Sequence, residues 1–80
     1  MKFVEFTYAY NSEIDKEVMM TDPNKAKEYI DFMNTISFPG KYISYKVLSS
    51  EEAKEFIRES FTDNITKLAM MKKYYKCYGK

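Results

Sequence analysis

The sequence predicts a compact α+β domain in which a three-stranded antiparallel sheet, in the order β-β-α-β-α, carries two helices packed on one face. Three stretches alternate apolar and polar residues with a period of two, which is typical of strands. Two other stretches repeat apolar residues every three or four positions, which is typical of amphipathic helices. The length of 80 residues fits a single domain, residues 1–80.

The first twenty residues predict a β-hairpin. Within residues 2–10, Val4, Phe6 and Tyr8 fall on one face, and residues 14–20 alternate in the same way. The polar residues 11–13 between them are of the turn type. So short a connection predicts that the second strand returns antiparallel to the first.

A helix and a third strand follow the hairpin. Asp22 can cap a helix, and Pro23 suits its first turn because the missing N–H would have no partner there anyway. An apolar stripe at helical spacing then reaches Ile36, and the residues Phe38-Pro39-Gly40 predict the end of the helix. Residues 41–48 alternate again and predict a strand. With the first strand in the middle, the sheet order is 2-1-3.

The last third of the chain predicts helix. Ser49 and Glu52 have the spacing of a capping box, and apolar residues continue at helical spacing as far as Tyr75. The weak helix formers 62–64 interrupt this pattern, so either one helix spans residues 50–76 or two helices break near Asp63. Because the apolar register continues across the interruption, we favour one helix.

The composition excludes several classes of function. There is no histidine, which is the commonest general base and the commonest metal ligand. The two glycines form no phosphate-binding loop, and the lone cysteine, Cys77, lies near the end of the sequence, where chains usually fray. The pairs Asp15 with Glu17 and Glu51 with Glu52 match solvated charges better than a catalytic pair. We therefore expect no enzyme, no metal and no cofactor.

The location also follows from composition. One cysteine can form no internal disulfide, the acidic start of the chain does not resemble an export signal, and no apolar run is long enough for a membrane span. These features predict a protein of the cytoplasm, without a membrane partner.

Aromatic residues are abundant, with eight tyrosines and six phenylalanines. A small core cannot hide so many rings, so we expect part of them on a surface for a partner, with an aromatic-rich core as the alternative. The sheet face opposite the helices should show Phe3, Glu5, Thr7, Ala9, Met19 and Tyr42, and is a candidate dimer or partner surface. The residues that we expect to contact a protein partner are Phe3, Glu5, Thr7, Glu13, Asp15, Glu17 and Met19.

Charge divides the chain into an acidic body and a basic end. Residues 1–63 hold eight basic and twelve acidic residues, whereas residues 64–80 hold five lysines and no acid. Lysines neutralise phosphates and tyrosines stack on bases, which predicts RNA binding; lysines facing a helix dipole, with the rings packed inward, are the alternative. The expected RNA contacts are Lys67, Lys72, Lys73, Tyr74, Lys76, Tyr78 and Lys80.

The style of the sequence resembles small early proteins of T-even-type phages. The stretch Lys16-Glu17-Val18-Met19-Met20-Thr21-Asp22 resembles the second strand of the Dmd-type phage antitoxins, within a β-β-α-β outline over residues 1–48. The basic end resembles the RNA-binding inhibitors of ToxIN-type toxin–antitoxin systems. Both resemblances imply a non-enzymatic phage anti-defence protein that inhibits a host ribonuclease toxin.

That resemblance sets the expected partners, which are a host ribonuclease toxin, RNA or both. The sheet face and the composition predict in addition a homodimer in the host cytoplasm. The acidic hairpin would imitate RNA phosphates, or the basic end would sequester the toxin through RNA. An inhibitor of a CRISPR nuclease or of host transcription, acting through protein–protein contact, is the alternative.

Overall fold

The computed structural model describes residues 1–36 and 40–79. The strands are β1 (Lys2–Tyr10), β2 (Glu13–Thr21) and β3 (Lys41–Val47), and the helices are α1 (Ala26–Ile36), α2 (Ser50–Ser60) and α3 (Asn64–Tyr78), with a 3₁₀ turn at Pro23–Lys25 before α1. The order β-β-α-β-α-α confirms the α+β class. The chain comprises two compact units, the first spanning Met1–Val47 and the second beginning at Leu48.

The hairpin is closed by a two-residue turn. Tyr10 pairs with Glu13, and Asn11 and Ser12 between them have φ angles of 51° and 68°. Two successive positive φ angles are the geometry of a type I′ turn, whose twist matches that of the flanking strands. The turn thus contains two residues, Asn11 and Ser12, whereas the three polar residues 11–13 predicted a turn of three.

The sheet is antiparallel in the predicted order, β2-β1-β3. The pairing of β1 with β3 shifts register between Thr7 and Tyr8, so that Tyr8 lies opposite Tyr42 and Thr7 opposite Ser44. Ile43 is the extra residue of this β-bulge.

Two residues expected on the uncovered sheet face lie on the core face instead. Met19 pairs with Val4, and Tyr42 pairs with Tyr8, and directly opposed residues of antiparallel strands point to the same side. Both belong to the cluster that packs under α1. A third residue, Phe3, pairs with Met20 and so keeps the opposite face, but it is only 1% exposed and forms no part of an open surface.

The core of the first unit is aromatic. Phe6 is fully buried, and its ring centroid lies 4.7 Å from that of Tyr29, 6.3 Å from that of Tyr42 and 6.5 Å from that of Tyr45. The edge-to-face contact with Tyr42 is a favoured geometry for aromatic pairs. The apolar stripe of α1 covers this cluster, in which Ala26 is fully buried.

The start of the first helical segment is as predicted. The Asp22 side chain accepts a hydrogen bond from the Asn24 N–H at 3.0 Å, and Pro23 occupies the first turn, which is 3₁₀ before α1 begins at Ala26. The predicted helix end falls partly on Phe38 and Pro39, which lie outside the described residues.

The end of α1 is tied to the outer edge of β3. The Tyr42 N–H donates to Asn34 Oδ1 at 2.7 Å, and Asn34 Nδ2 donates to the Tyr42 carbonyl at 3.0 Å. The Asn34 amide therefore takes the place of a neighbouring strand at this point of the sheet edge.

In the second unit, two helices replace the single helix that we favoured. The capping box is confirmed, since Ser49 Oγ accepts from the Glu52 N–H at 3.1 Å and the Glu52 carboxylate accepts from the Ser49 N–H at 2.9 Å. However, α2 ends at Ser60, and Asp63 caps α3 by accepting from the Thr66 N–H at 2.8 Å. A short acidic side chain caps a new helix better than it continues an old one, which explains the break.

Tyrosine hydroxyls hold the second unit together. Tyr74 is 3% exposed, and its hydroxyl lies 2.6 Å from Ser50 Oγ, which joins α3 to the first turn of α2. The Tyr78 hydroxyl donates to the Leu48 carbonyl at 2.8 Å, and the two tyrosine rings stack with centroids 5.1 Å apart.

Candidate functional site

Three carboxylates form a row along β2. Glu13, Asp15 and Glu17 are all exposed, and their register opposite Tyr10, Tyr8 and Phe6 places them on the sheet face that carries α1. Alternate residues of a strand lie about 7 Å apart. We call these three residues the carboxylate row.

The carboxylate row is partly anchored by the core. The Tyr42 hydroxyl donates to Glu17 Oε1 at 3.0 Å, and Tyr42 is 8% exposed. Burial, followed by the hydrogen bond to Glu17 and the neighbouring Tyr29, raises the pKa of the Tyr42 phenol well above its ordinary value. The Tyr42 phenol therefore remains a hydrogen-bond donor and holds the Glu17 carboxylate in place at neutral pH.

This contact predicts an alkaline limit to stability. A raised pKa means that the folded chain holds the Tyr42 proton more tightly than the unfolded chain, so the stabilisation is complete below about pH 10 and declines as the pH rises further. We expect the urea midpoint of Tyr42→Phe to fall less between about pH 8 and pH 11 than that of the native chain. Tyr10→Phe, at an exposed position, is the matched control; equal slopes for Tyr42→Phe and the native chain would contradict this role.

The other expected partner residues are not on the same face as the row. Glu5 and Thr7 point to the opposite side of the sheet, and Glu5 Oε1 lies 3.7 Å from the Nζ atom of Lys16. Met19 lies on the row's face but packs against the core cluster. The expected seven-residue surface therefore separates, and only the carboxylate row forms one exposed line.

The lysines of α3 lie mostly on its outer side. Lys72, Lys73 and Lys76 are exposed, Lys67 is half-buried, and Lys80 lies outside the described residues. Between Asn64 and Tyr78 there is no acidic residue. This side of the helix also exposes Ile65, 80% accessible, and Leu68, 61% accessible.

Two of the tyrosines expected to contact RNA are committed to the fold. Tyr74 is buried, and Tyr78 is half-buried with its hydroxyl on the Leu48 carbonyl, so neither offers a free ring face for a base. Among the described rings of α3, that of Tyr75 is 48% exposed, and Tyr75 is not one of the expected RNA contacts. Helical spacing could have identified it, because Tyr75 lies three residues after Lys72 on the same side, whereas Tyr74 and Tyr78 are four apart on the other.

Among residues 1–36 and 40–79, no three carboxylates or thiols are grouped so that they could hold a metal ion. Glu55 raises the pKa of the nearby Glu59 carboxyl through a hydrogen bond on the exposed side of α2, where both side chains are solvated. In the part of the chain that the structure describes, no helix has the length and hydropathy of a membrane span.

The geometry thus offers an acidic row on β2 that is anchored at Glu17, and a basic outer side of α3. Comparison with protein-family models, with curated proteins and with solved structures found no match for this chain.

Proposed function

We propose that this chain is a phage-encoded, non-enzymatic inhibitor of a host ribonuclease toxin, and that it acts by placing the carboxylate row in the basic groove that receives RNA. The observation that carries the proposal is the arrangement of Glu13, Asp15 and Glu17, three exposed carboxylates in line on one strand. The resemblance to phage antitoxins supports the same class of function.

The spacing of the row suits phosphate mimicry. Its carboxylates recur about every 7 Å, close to the separation of successive phosphates in an extended nucleic acid strand. A ribonuclease groove lined with lysine and arginine attracts such a row over a distance and orients it on approach. Because the mimic has no scissile phosphodiester, it occupies the groove without being cleaved.

The backbone of the row is also held in position before it binds. All three residues belong to paired positions of β2, and Glu17 is fixed further by the Tyr42 hydroxyl. Groups that are ordered in the free protein lose little conformational entropy on association, so more of the electrostatic attraction remains as affinity.

The experiment that tests this function starts with capture. A tagged chain is incubated with bacterial lysate, with and without added ribonuclease A, and bound proteins and RNA are identified together. We expect a ribonuclease toxin that remains bound after digestion, and we expect the native chain to stop its cleavage of a labelled RNA. Capture of a CRISPR nuclease or of RNA polymerase subunits instead, with no effect on any ribonuclease toxin, would contradict the proposal.

A second candidate function, RNA binding, is favoured by the basic outer side of α3. Lys72 and Lys76 are one helical turn apart, Lys73 is adjacent, and Tyr75 exposes a ring on the same side. Proteins that bind single strands without sequence preference usually place basic side chains near the phosphates and stack aromatic side chains on the bases. The chain has a single arginine, Arg58, so base-specific readout by arginine forks is not expected.

Charge reversal tests this second function. In the variant Lys72→Glu, Lys73→Glu and Lys76→Glu, we expect loss of binding to a labelled single-stranded RNA. The RNA affinity of the native chain should fall as salt rises. The three lysines should contribute about 2 to the magnitude of the slope of log K against log salt concentration.

The matched control reverses three exposed lysines of the first unit, Lys25→Glu, Lys27→Glu and Lys41→Glu. Fluorescence anisotropy measures both variants at the same low salt. Unchanged RNA affinity in the folded α3 variant would exclude RNA binding through this helix.

A further inference from the structure

The two edges of the sheet differ in their backbone hydrogen bonding. At β3, the Asn34 side chain satisfies both the N–H and the carbonyl of Tyr42, and a β-bulge interrupts the strand. At β2, within the described residues, the backbone groups that point away from β1 have no backbone partner. A nine-residue edge strand without such protection is a template for pairing with another strand.

The hairpin turn determines which residues of β2 point outward. In a two-residue hairpin, the closing pair, here Tyr10 and Glu13, exchanges both backbone hydrogen bonds. Because hydrogen-bonded and non-bonded pairs alternate, the odd-numbered residues of β2 bond to β1. Lys16, Val18 and Met20 therefore direct their N–H and carbonyl groups to the open edge.

We infer that the open edge of β2 pairs antiparallel with β2 of a second copy of this chain, about a two-fold axis at Val18. In this register Val18 lies opposite Val18 of the second copy, and Lys16 lies opposite Met20 of the second copy. The outward N–H and carbonyl groups of one copy then lie opposite the outward groups of the other copy. This inference goes beyond the proposed function because it names a second copy of the chain as the partner of the β2 edge. It rests on the proposed function only for what the carboxylates of the dimer would bind.

Charge disfavours the registers centred nearer the hairpin turn. The first half of β2 carries Glu13, Asp15, Lys16 and Glu17, whereas residues 18–21 are uncharged. Pairing about Val18 places the charged half of each copy against the uncharged half of the other. An axis at Glu17 would oppose two glutamates, and an axis at Lys16 would oppose two lysines and set Asp15 against Glu17, all of which are repulsive.

The pairing stops at two copies. The axis at Val18 uses the same edge in both chains, and the β3 edge of each chain is occupied at Tyr42 by the Asn34 side chain. An interface that is identical on both subunits closes into a dimer and does not extend into a fibre.

The dimer would extend the carboxylate row. With the axis at Val18, Glu17 lies diagonally across from Glu17 of the second copy, and diagonal neighbours in antiparallel strands are about 7–8 Å apart. The two rows thus join into one line of six carboxylates at nearly even spacing. A line of that length covers more of an RNA groove than either chain alone.

The first test is the mass of the native chain and two variants by sedimentation equilibrium over micromolar to millimolar concentration. We expect twice the chain mass for the native protein and the single-chain mass for Val18→Pro, because proline removes an outward N–H without removing a bond to β1. Ile14→Pro is the matched control, since Ile14 also points outward but lies beyond the paired residues 15–21. It should remain dimeric.

A second test does not require proline to be tolerated. Opposed residues in a hydrogen-bonded pair have Cα atoms about 5.5 Å apart, which a disulfide can span. In a Cys77→Ser background, Val18→Cys should form a covalent dimer on mild oxidation, and Ile14→Cys should not. A native chain that is monomeric throughout, or cross-linking that is equal at both positions, would overturn the inference and leave the edge open to a strand of another protein.

These measurements are separate from those of the proposed function, since no toxin is present in them. A monomeric native chain that still inhibits a ribonuclease would overturn the dimer alone. A dimer that inhibits no ribonuclease would overturn the proposed function alone.

Discussion

Phe6→Ala is expected to lower the free energy of unfolding by about 3–5 kcal/mol. Phe6 is fully buried on the central strand and contacts the rings of Tyr29, Tyr42 and Tyr45, so its removal leaves a cavity that β1, paired on both sides, cannot close by moving. A chain of this size is stabilised by roughly 4–12 kcal/mol, so the substitution removes a large fraction of the total.

Phe32→Ala is the matched control for this prediction. Phe32 is 61% exposed on α1, so the same truncation there should change the stability by no more than about 0.5 kcal/mol. Urea unfolding followed by circular dichroism gives both values. A loss for Phe6→Ala no larger than that for Phe32→Ala would show that this aromatic cluster is not the core of the first unit.

Neutralising the carboxylate row should weaken binding to the ribonuclease toxin by a factor on the order of 100. The variant is Glu13→Gln, Asp15→Asn and Glu17→Gln, whose side chains keep the size of the originals. The amide oxygen that replaces the Glu17 carboxylate can still accept from the Tyr42 hydroxyl, so the strand and its anchor remain while the charges are lost.

The chain offers a control with the same change of charge. Glu51, Glu55 and Glu59 form a second row of exposed carboxylates on α2, at helical rather than strand spacing. Their replacement by glutamine also removes three negative charges. If affinity depends on the position of the carboxylate row, the α2 variant should bind within about threefold of the native chain, whereas equal losses would indicate only a net-charge effect.

Local patterns were sufficient for the elements of this fold, because each is specified by neighbouring residues. Alternation marked the strands, and Asp22 and the pair Ser49 with Glu52 marked helix starts that form the expected hydrogen bonds. The break before α3 was the exception. The apolar register continued through it, but the capping hydrogen bonds of Asp63 stabilise a new helix start, and apolar spacing does not report on capping.

The faces of the sheet could not be predicted in the same way, because they depend on register. A three-residue turn at 11–13 would have put Met19 opposite Glu5, on the outer face, but the two-residue turn moves the pairing by one and turns Met19 to the core. The bulge at Thr7 and Tyr8 does the same for Tyr42. A register shift of one residue moves every side chain beyond it to the other face of the sheet. The alternation of apolar and polar residues does not reveal such a shift.

The candidate sites could likewise be predicted where they depend on local pattern and not where they depend on distant contacts. The acidic and basic character of the two surfaces was visible in composition, and the carboxylate row needed only the strand period. On α3 the structure buries Tyr74 and half-buries Tyr78, and their hydroxyls bond to Ser50 and to the Leu48 carbonyl. These partners lie far away in sequence, so helical spacing alone does not indicate them.

The most direct test of the central claim, that the carboxylate row occupies the RNA groove of a ribonuclease toxin, is the kinetic pattern of inhibition. Cleavage of a fluorogenic RNA by the captured toxin is measured over a range of RNA concentrations at several fixed concentrations of the native chain. Phosphate mimicry predicts that KM rises with the inhibitor while kcat is unchanged, and that the row variant loses this effect. A fall in kcat at constant KM, or full competitive inhibition by the row variant, would contradict it.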